Sequence, residues 1–313
     1  MRVVVTGASG FIGHNVLLRA PRDWEIVAVY HATPGLDQFV KTQGLANVRP
    51  VQCDLTSEAD VQRLARTIGG KPDAMLYLAA NGDPAASSER VRWDLDLNTV
   101  ALVTTLEQCP ARHVVYVSSG AVYDGLRGAV SPETPVSPRL PYAISKLASE
   151  QYLRFFAERK GTVDSYINVR FFGAYGPYEA ARKITTRWLE GMAAGQREFV
   201  VRGDGRNLID FMYVDDAVDG FLAAVKAVGD RRTVDFASGS PISVNDVVRA
   251  MARNLGIEVT VRHEGHVPEY IEFQSADRTM RDRFGITPSI TFDDGLARLR
   301  AFLDDRRAAL KKG

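Results

Sequence analysis

The chain has 313 residues, with 39 Lys and Arg against 38 Asp and Glu, and two cysteines. A net charge of +1 supplies no long-range field toward nucleic acid or an anionic membrane; 45% hydrophobic and 25% charged residues fit a globular chain, not a disordered, collagenous or coiled-coil one. Cys53 and Cys109 are too few for a disulfide framework or a cysteine zinc site, so the expected setting is a reduced cytoplasm and no bound metal is expected.

At roughly 150 residues per domain, the length allows two domains or one large α/β domain. Met1-Arg2 passes directly into Val3-Val4-Val5, without the apolar stretch and small-residue cleavage site of a signal peptide. No run approaches the roughly 18 apolar residues of a membrane span. Residues 3–5, 26–29, 75–78 and 114–117 are short apolar runs, the pattern of strands buried on both faces of a parallel sheet. Helices are expected between them: from 11 to about 20; from the Ser57-Glu58-Ala59-Asp60 capping box to Gly69-Gly70; from 95 to 109, ended by Pro110; and from 141 to 160, ended by Gly161. Residues 167–172 read as a further strand. This rhythm predicts an α/β fold, a Rossmann-type doubly wound parallel sheet, over residues 1–172. After Phe172 the rhythm changes. A stretch with Gly, Pro and Tyr leads to a helix near 184–194; residues 210–228 read as a short strand and a helix. Ser243-Val244-Asn245-Asp246 is a second capping box, before a helix to about 255, and 291–310 is an amphipathic helix. Residues 173–313 are therefore expected to form a smaller α/β substrate-binding domain, with a return to the main sheet near 208–228.

The strongest local motif is Thr6-Gly7-Ala8-Ser9-Gly10-Phe11-Ile12-Gly13. Gly7, Gly10 and Gly13 follow a strand and open a helix. Small residues there let the backbone approach a pyrophosphate, and the helix N-terminus offers N–H groups and a positive dipole end, which points to Gly7 and Ser9 through Gly13 as a dinucleotide site. A tight βα turn without ligand is the alternative. At the end of the second strand, where an acid would hold the ribose 2′-hydroxyl of NAD, stand Tyr30 and His31. With no acid to repel a 2′-phosphate, the expectation tilts to NADP(H) over NAD(H), although both residues also read as ordinary strand-end residues. Asp54, beside Leu55, stands where its carboxylate can take the adenine amino group or cap the next helix. Ala79 and Ala80 end the fourth strand and leave room for a flat ring.

Ser119 follows the strand at 114–117, at the carboxyl edge where ligands bind in open α/β folds. Tyr142 and Lys146 are i and i+4 on one helix face. A phenol near pKa 10 is a poor base at neutral pH, and a nearby ammonium favours the phenolate. Tyr142 can then exchange a proton with a substrate hydroxyl or carbonyl while Ser119 hydrogen-bonds the same oxygen. Asp94 and Asp96, in Trp93-Asp94-Leu95-Asp96, read as surface acids at a helix start. His263-Glu264-Gly265-His266 lacks the spacing of a zinc motif.

Together with Ser118-Ser119-Gly120-Ala121-Val122-Tyr123, Arg170-Phe171-Phe172-Gly173-Ala174-Tyr175-Gly176-Pro177, Gly203-Asp204-Gly205 and Asp210-Phe211-Met212-Tyr213-Val214-Asp215-Asp216, these motifs resemble the extended short-chain dehydrogenase/reductases of the NAD-dependent epimerase/dehydratase family, over nearly the whole chain. The resemblance implies catalysis by Ser119, Tyr142 and Lys146, a cofactor site that includes Asn98, and a nucleotide-sugar pocket that includes Asn81, Ser119 and Gly173. It also implies a homodimer through the helices at 95–109 and 141–160. Three departures narrow the reaction. Where the family's 4,6-dehydratases carry Asp-Glu after the catalytic hydroxyl residue, this chain has Gly120 and Ala121, so dehydration is not expected. Where many members place a phosphate-binding Asn and Arg stand Gly173 and Ile209. Lys183, Arg187 and Arg206 are the nearby substitutes, or simply solvated charges. The expected activity is 4-ketoreduction or 4-epimerisation of a nucleotide sugar. A cofactor-binding regulator without turnover, or a reductase of a non-nucleotide carbonyl, is the alternative.

Overall fold

In the computed structural model, which describes residues 1–267 and 271–310, the five apolar runs become strands of one seven-stranded parallel sheet, which Val48–Gln52 and Arg231–Phe236 complete. The seven are β1 (Arg2–Thr6), β2 (Glu25–Tyr30), β3 (Val48–Gln52), β4 (Ala74–Tyr77), β5 (Ala111–Ser119), β6 (Val163–Phe171) and β7 (Arg231–Phe236), in the spatial order β7-β6-β5-β4-β1-β2-β3. Val3, Val4, Val5, Met75 and Leu76 are all fully buried, which is why the central strands carry no polar alternation. The order reverses between β1 and β4, so their carboxyl ends diverge into a crevice. In register, Thr6 lies opposite Tyr77 and Ser119 opposite Phe171, which brings the ends of β1, β4, β5 and β6 to one rim.

Helix termini follow their local chemistry. Ser57 accepts from the Asp60 amide at the start of the Glu58–Ile68 helix, and Gly69 closes it with φ +65°. The return arm of this capping box is redirected, because the Asp60 carboxylate takes the Asp54 amide, not that of Ser57. Ser243 caps the Val244–Leu255 helix in the same way. The Pro141–Phe155 helix begins on its proline and runs through a wide turn, Phe156–Lys160, to Gly161. A second wide turn, Asp96–Val100, joins the helical segments Val91–Leu95 and Ala101–Gln108. The sequence pattern did not anticipate the short helices Leu36–Thr42 and Pro84–Glu89, which are too short for a full apolar stripe.

The second lobe is built from the helices Ile184–Ala193, Val244–Leu255 and Phe292–Leu310 and from small two-stranded ladders. It is interleaved with the main sheet. Helix Val214–Lys226 packs beside Phe11–Arg19 against the sheet, and the chain then enters β7, paired with β6 from Arg231–Tyr166 to Phe236–Phe171. The strand that rejoins the sheet, Arg231–Phe236, lies beyond the 208–228 expected for a return, where the short strands pair only in separate two-stranded ladders. One hydrophobic cluster spans both lobes, from Val3 and Leu76 to Val247 and Leu296. Asn15 ties them again, donating to Phe11 O and Pro177 O at 2.9 Å each. No helix among the described residues is long and apolar enough to cross a membrane.

A buried polar network stands behind β5 and β6. Arg170 donates to both oxygens of Glu150 at 3.1 and 3.0 Å, and Ser118 donates to Glu150 at 2.6 Å. Arg170 also reaches the Tyr123 hydroxyl, which donates to Asp235. Burial pushes the Asp235 carboxyl up to about 7, against the hydrogen bonds from Ser275 and Tyr123. The folded chain then keeps a proton that the unfolded chain releases near pH 4, so this group's stabilising contribution is lost as pH rises from about 4 to about 7. Asp235→Asn is expected to remove that dependence. Melting temperatures of the two proteins should diverge between pH 5 and pH 8, with the wild type losing more; parallel curves would exclude Asp235 as a source.

Candidate active site

The turn after β1 is closed to side chains by backbone on two sides. Gly7 has φ +66°, and a Cβ there would lie 2.9 Å from the Ala79 amide nitrogen; a Cβ on Gly13 would lie 2.5 Å from the Gly7 and Ala8 carbonyl oxygens. Thr6 Oγ1 accepts from the Leu78 and Ala79 amides at 3.1 and 3.2 Å, locking the end of β4 to the same turn. Gly10 stands as the extended N-cap of Phe11–Arg19, and no side chain caps this helix. Its first-turn amides have no acceptor within the helix. The cradle therefore fits a pyrophosphate in shape and in donors.

A cavity of about 680 Å³ runs along the rim of the sheet. Gly10, Phe11 and Ile12 form one wall; Leu78, Ala80 and Asn81 follow β4. Ser119 ends β5, Phe172 and Gly173 follow β6, and Lys183, Ile184, Leu208 and Ile209 close the space from the second lobe. Ser119, Tyr142 and Lys146 all line this one cavity. Ser119 Oγ accepts from the Ala121 amide at 3.1 Å. Burial holds the Tyr142 phenol above the ordinary tyrosine value, with the Ser119 hydrogen bond pulling it down and the Asp94 charge pushing it up. Lys146 is 2% exposed; its Nζ donates to Val117 O at 2.6 Å and lies 4.6 Å from the Tyr116 ring centre. Burial pulls the Lys146 ammonium down to about 7, against the charges of Glu150 and Asp94. The expected lowering of Tyr142 by a neighbouring ammonium is thus not realised in this arrangement. The phenol is dehydrated, and the lysine is turned to a backbone carbonyl.

Beyond the ends of β2 and β3, Tyr30 donates to Asp37 Oδ2 at 2.9 Å, and His31 Nε2 lies 3.7 Å from Asp54 Oδ2. Asp37, on the unanticipated Leu36–Thr42 helix, supplies an acid that position 30 lacks. Asp54 Oδ1 accepts from the Thr56 amide and hydroxyl, so this carboxylate also caps its own turn, and Leu55 is buried.

Two expected contacts turn inward. Asn98 is fully buried away from the cavity wall: its Oδ1 accepts from the Asn81 amide, and its Nδ2 donates to Asp94 and Ser145. Asn81 reaches the wall, but its side chain is held by Asp83 and Asp94. Asp94 itself is no surface acid; it is 1% exposed. The spacing from Asp94 to Asn98, i to i+4 on a helix, was the available signal. Asp96 does follow the surface reading, pairing with Arg92.

At the far end, Gly173 lines the cavity with φ +144°, a conformation that disfavours a side chain such as Asn. Lys183 lines the cavity; Arg187 and Arg206 do not, and the Arg206 side chain is 82% exposed. Arg182, not singled out from sequence, lines the wall and pairs across to Asp83 at 3.2 Å. Glu179, also in the wall, accepts from the hydroxyls of Thr185 and Thr186. Nothing in the local pattern distinguished Arg182 or Glu179 from other polar loop residues.

Residues 3–235 match the model of the NAD dependent epimerase/dehydratase family. The chain belongs to that family. A UDP-glucose 4-epimerase of Mycolicibacterium smegmatis is 28% identical, aligned over 98% of this chain and 99% of its own length. A dTDP-glucose 4,6-dehydratase of Mycobacterium tuberculosis is 27% identical, over 94% of this chain and 87% of its own. The structure of MoeE5 in complex with UDP-glucose and NAD superposes with a TM-score of 0.84 at 26% identity, covering 99% of this chain and all of that one. The family thus includes both epimerases and dehydratases at similar distance, and NAD is bound in a related structure.

Gly13→Ala is expected to weaken dinucleotide binding about tenfold or more, a change of about 1.4 kcal/mol, because two backbone carbonyls must move. Fluorescence titration with NADH and NADPH measures it. Unchanged affinity would show that the turn is a structural device only.

Proposed function

We propose that this enzyme acts at C4 of a nucleotide sugar through Ser119, Tyr142 and Lys146, by 4-epimerisation or by reduction of the 4-keto form. The observation that carries the proposal is that these three residues and the glycine turn border one cavity. A bound nicotinamide would supply the acceptor and donor of a hydride. Tyr142, as phenolate, takes the proton of the C4 hydroxyl as hydride leaves C4, and gives it back when hydride returns. Ser119 donates a hydrogen bond to the same oxygen. Lys146, released from Val117 O, would hold the cofactor ribose and bring its charge toward Tyr142. Return of hydride to the opposite face would invert C4; in ketoreduction only this return half would run, with Tyr142 starting as the neutral phenol and giving its proton to the C4 oxygen. Gly120 and Ala121 offer no acid or base for removal of water, and Asp124 beside them is held by Arg139.

Lys183 and Arg182 take over the substrate phosphates in this reading, since they are the mobile-length cations in the wall of the second lobe. For the cofactor, Asp37 and Asp54 at the end of β2 and β3 disfavour a 2′-phosphate, which moves the preference from NADP(H) to NAD(H) and supports epimerisation over reduction. A homodimer fits the apolar patch of Leu95 and Val100 with Ile144, Tyr152 and Phe155 on the neighbouring helix, 40–49% exposed.

Tyr142→Phe is expected to lower turnover of UDP- or dTDP-sugars about 10²- to 10⁴-fold, the range of general acid–base catalysis. Intact turnover would refute the assignment. Nucleotide released from the purified protein should be NAD(H), with NADH binding more tightly than NADPH; the reverse order would restore the NADP reading and favour reduction. Tyr152→Arg should shift the protein toward monomer in light scattering, and an unchanged mass would place any interface elsewhere.

A further inference from the structure

We propose that Asp94 is a positioning residue for this site, and that its carboxylate acts on the Tyr142–Lys146 pair by its charge as well as by its hydrogen bonds. The proposal rests on the role assigned above to Tyr142.

Asp94 lies in the helical segment Val91–Leu95 and is 1% exposed. A carboxylate in such a place needs donors, and it has three neutral ones. Asn81 Nδ2 and Asn98 Nδ2 donate to Oδ1 at 2.7 and 2.9 Å; Ser145 Oγ donates to Oδ2 at 2.7 Å. Each donor belongs to a different part of the site. Asn81 is in the cavity wall after β4. Asn98 is in the wide turn Asp96–Val100, and its Oδ1 also holds the Asn81 amide at 2.8 Å. Ser145 lies between Tyr142 and Lys146, and its backbone carbonyl is held by Thr99 Oγ1 at 2.9 Å. One carboxylate therefore fixes the β4 edge of the cavity to the helical turn that carries both reacting side chains.

All three donors to Asp94 are neutral, so no hydrogen-bond partner carries a compensating positive charge, as an arginine would. The titratable and charged groups facing the pair include Asp94 from its own segment, Tyr116 from β5, and Glu150 from the Tyr142 helix with Arg170 of β6 paired to it, while Asp124, Glu179, Arg182 and Lys183 line the same cavity. Among these, Asp94 bears on both members, raising the Tyr142 phenol and, with Glu150, the Lys146 ammonium. A purely structural residue would make the same hydrogen bonds without needing charge.

Asp94→Asn separates the two roles. Its Oδ1 can accept from both asparagines, and its Nδ2 can donate to Ser145 Oγ while the serine hydroxyl turns to Tyr142 O, 2.9 Å away. The network stays satisfied and only the charge is lost. The phenolate should then form at lower pH: the acid limb of kcat/KM against pH, and the tyrosinate absorbance of the cofactor-free protein, should move down by about one unit. Asp94→Glu keeps the charge and displaces the donors, so it should lower kcat with the limb in place. Profiles of Asp94→Asn that superimpose on wild type, by rate and by absorbance, would overturn the electrostatic role. Wild-type kcat in Asp94→Glu would overturn the positioning role. If Tyr142→Phe retains turnover, the underlying assignment fails instead, and the two failures are distinct. Should Asp94→Asn not fold, the Asp94→Glu profile alone decides: a limb moved away from wild type overturns the proposal.

Discussion

Everything at this site depends on how closely the turn after β1 approaches the end of β4. There is no space for a single methyl group between Gly7 and Ala79, or between Gly13 and the turn's own carbonyls. That contact sets the start of Phe11–Arg19 directly above the point where the strand order reverses. The first-turn amides and the rim of the sheet consequently border the same cavity. Thr6 adds a hydrogen-bonded lock between the same two strands. A wider turn would still fold as a βα connection, but it would separate the anion cradle from Ser119 and Tyr142.

Behind the cavity wall, two buried polar networks do different physical work. Glu150 and Arg170 neutralise each other with paired hydrogen bonds, and they extend through Ser118 and Tyr123 to Asp235. Such a pair is expensive to break and adds little net stability over a hydrophobic substitute, but it fixes where Ser118 and β6 lie. Asp94, by contrast, is held by three neutral donors. The first network confers register on the sheet edge. The second places a negative potential near a phenol that is already hard to ionise because it is dehydrated.

The second lobe contributes a wall and not an independent unit. Its connection passes through Gly173 at φ +144° and returns to the sheet as β7, so cavity geometry and sheet closure are coupled. Tyr178, the one non-glycine residue at positive φ among those described, stacks on His14 at 5.1 Å and lies against Phe302. This pins the loop after Pro177 to the helix that follows the glycine turn and to the last helix at once.

Local chemistry in the sequence was enough to determine five strands of the main sheet, the glycine turn, the two Ser-capped helices and the family, because each depends on side-chain period, backbone freedom or a contiguous motif. It also determined that Ser119, Tyr142 and Lys146 would share a face of the sheet edge. Only the tertiary structure decided the environment of those groups. Lys146 is turned to Val117 O, Asn98 is buried behind the wall, Asp37 reaches Tyr30 from a separate helix, and Asp94 is a buried hub where the sequence read a surface acid. The physical reason is common to all four. Burial and hydrogen-bond partnership are set by segments distant in sequence or by short helices without a periodic signal, and a residue's own neighbours do not encode them.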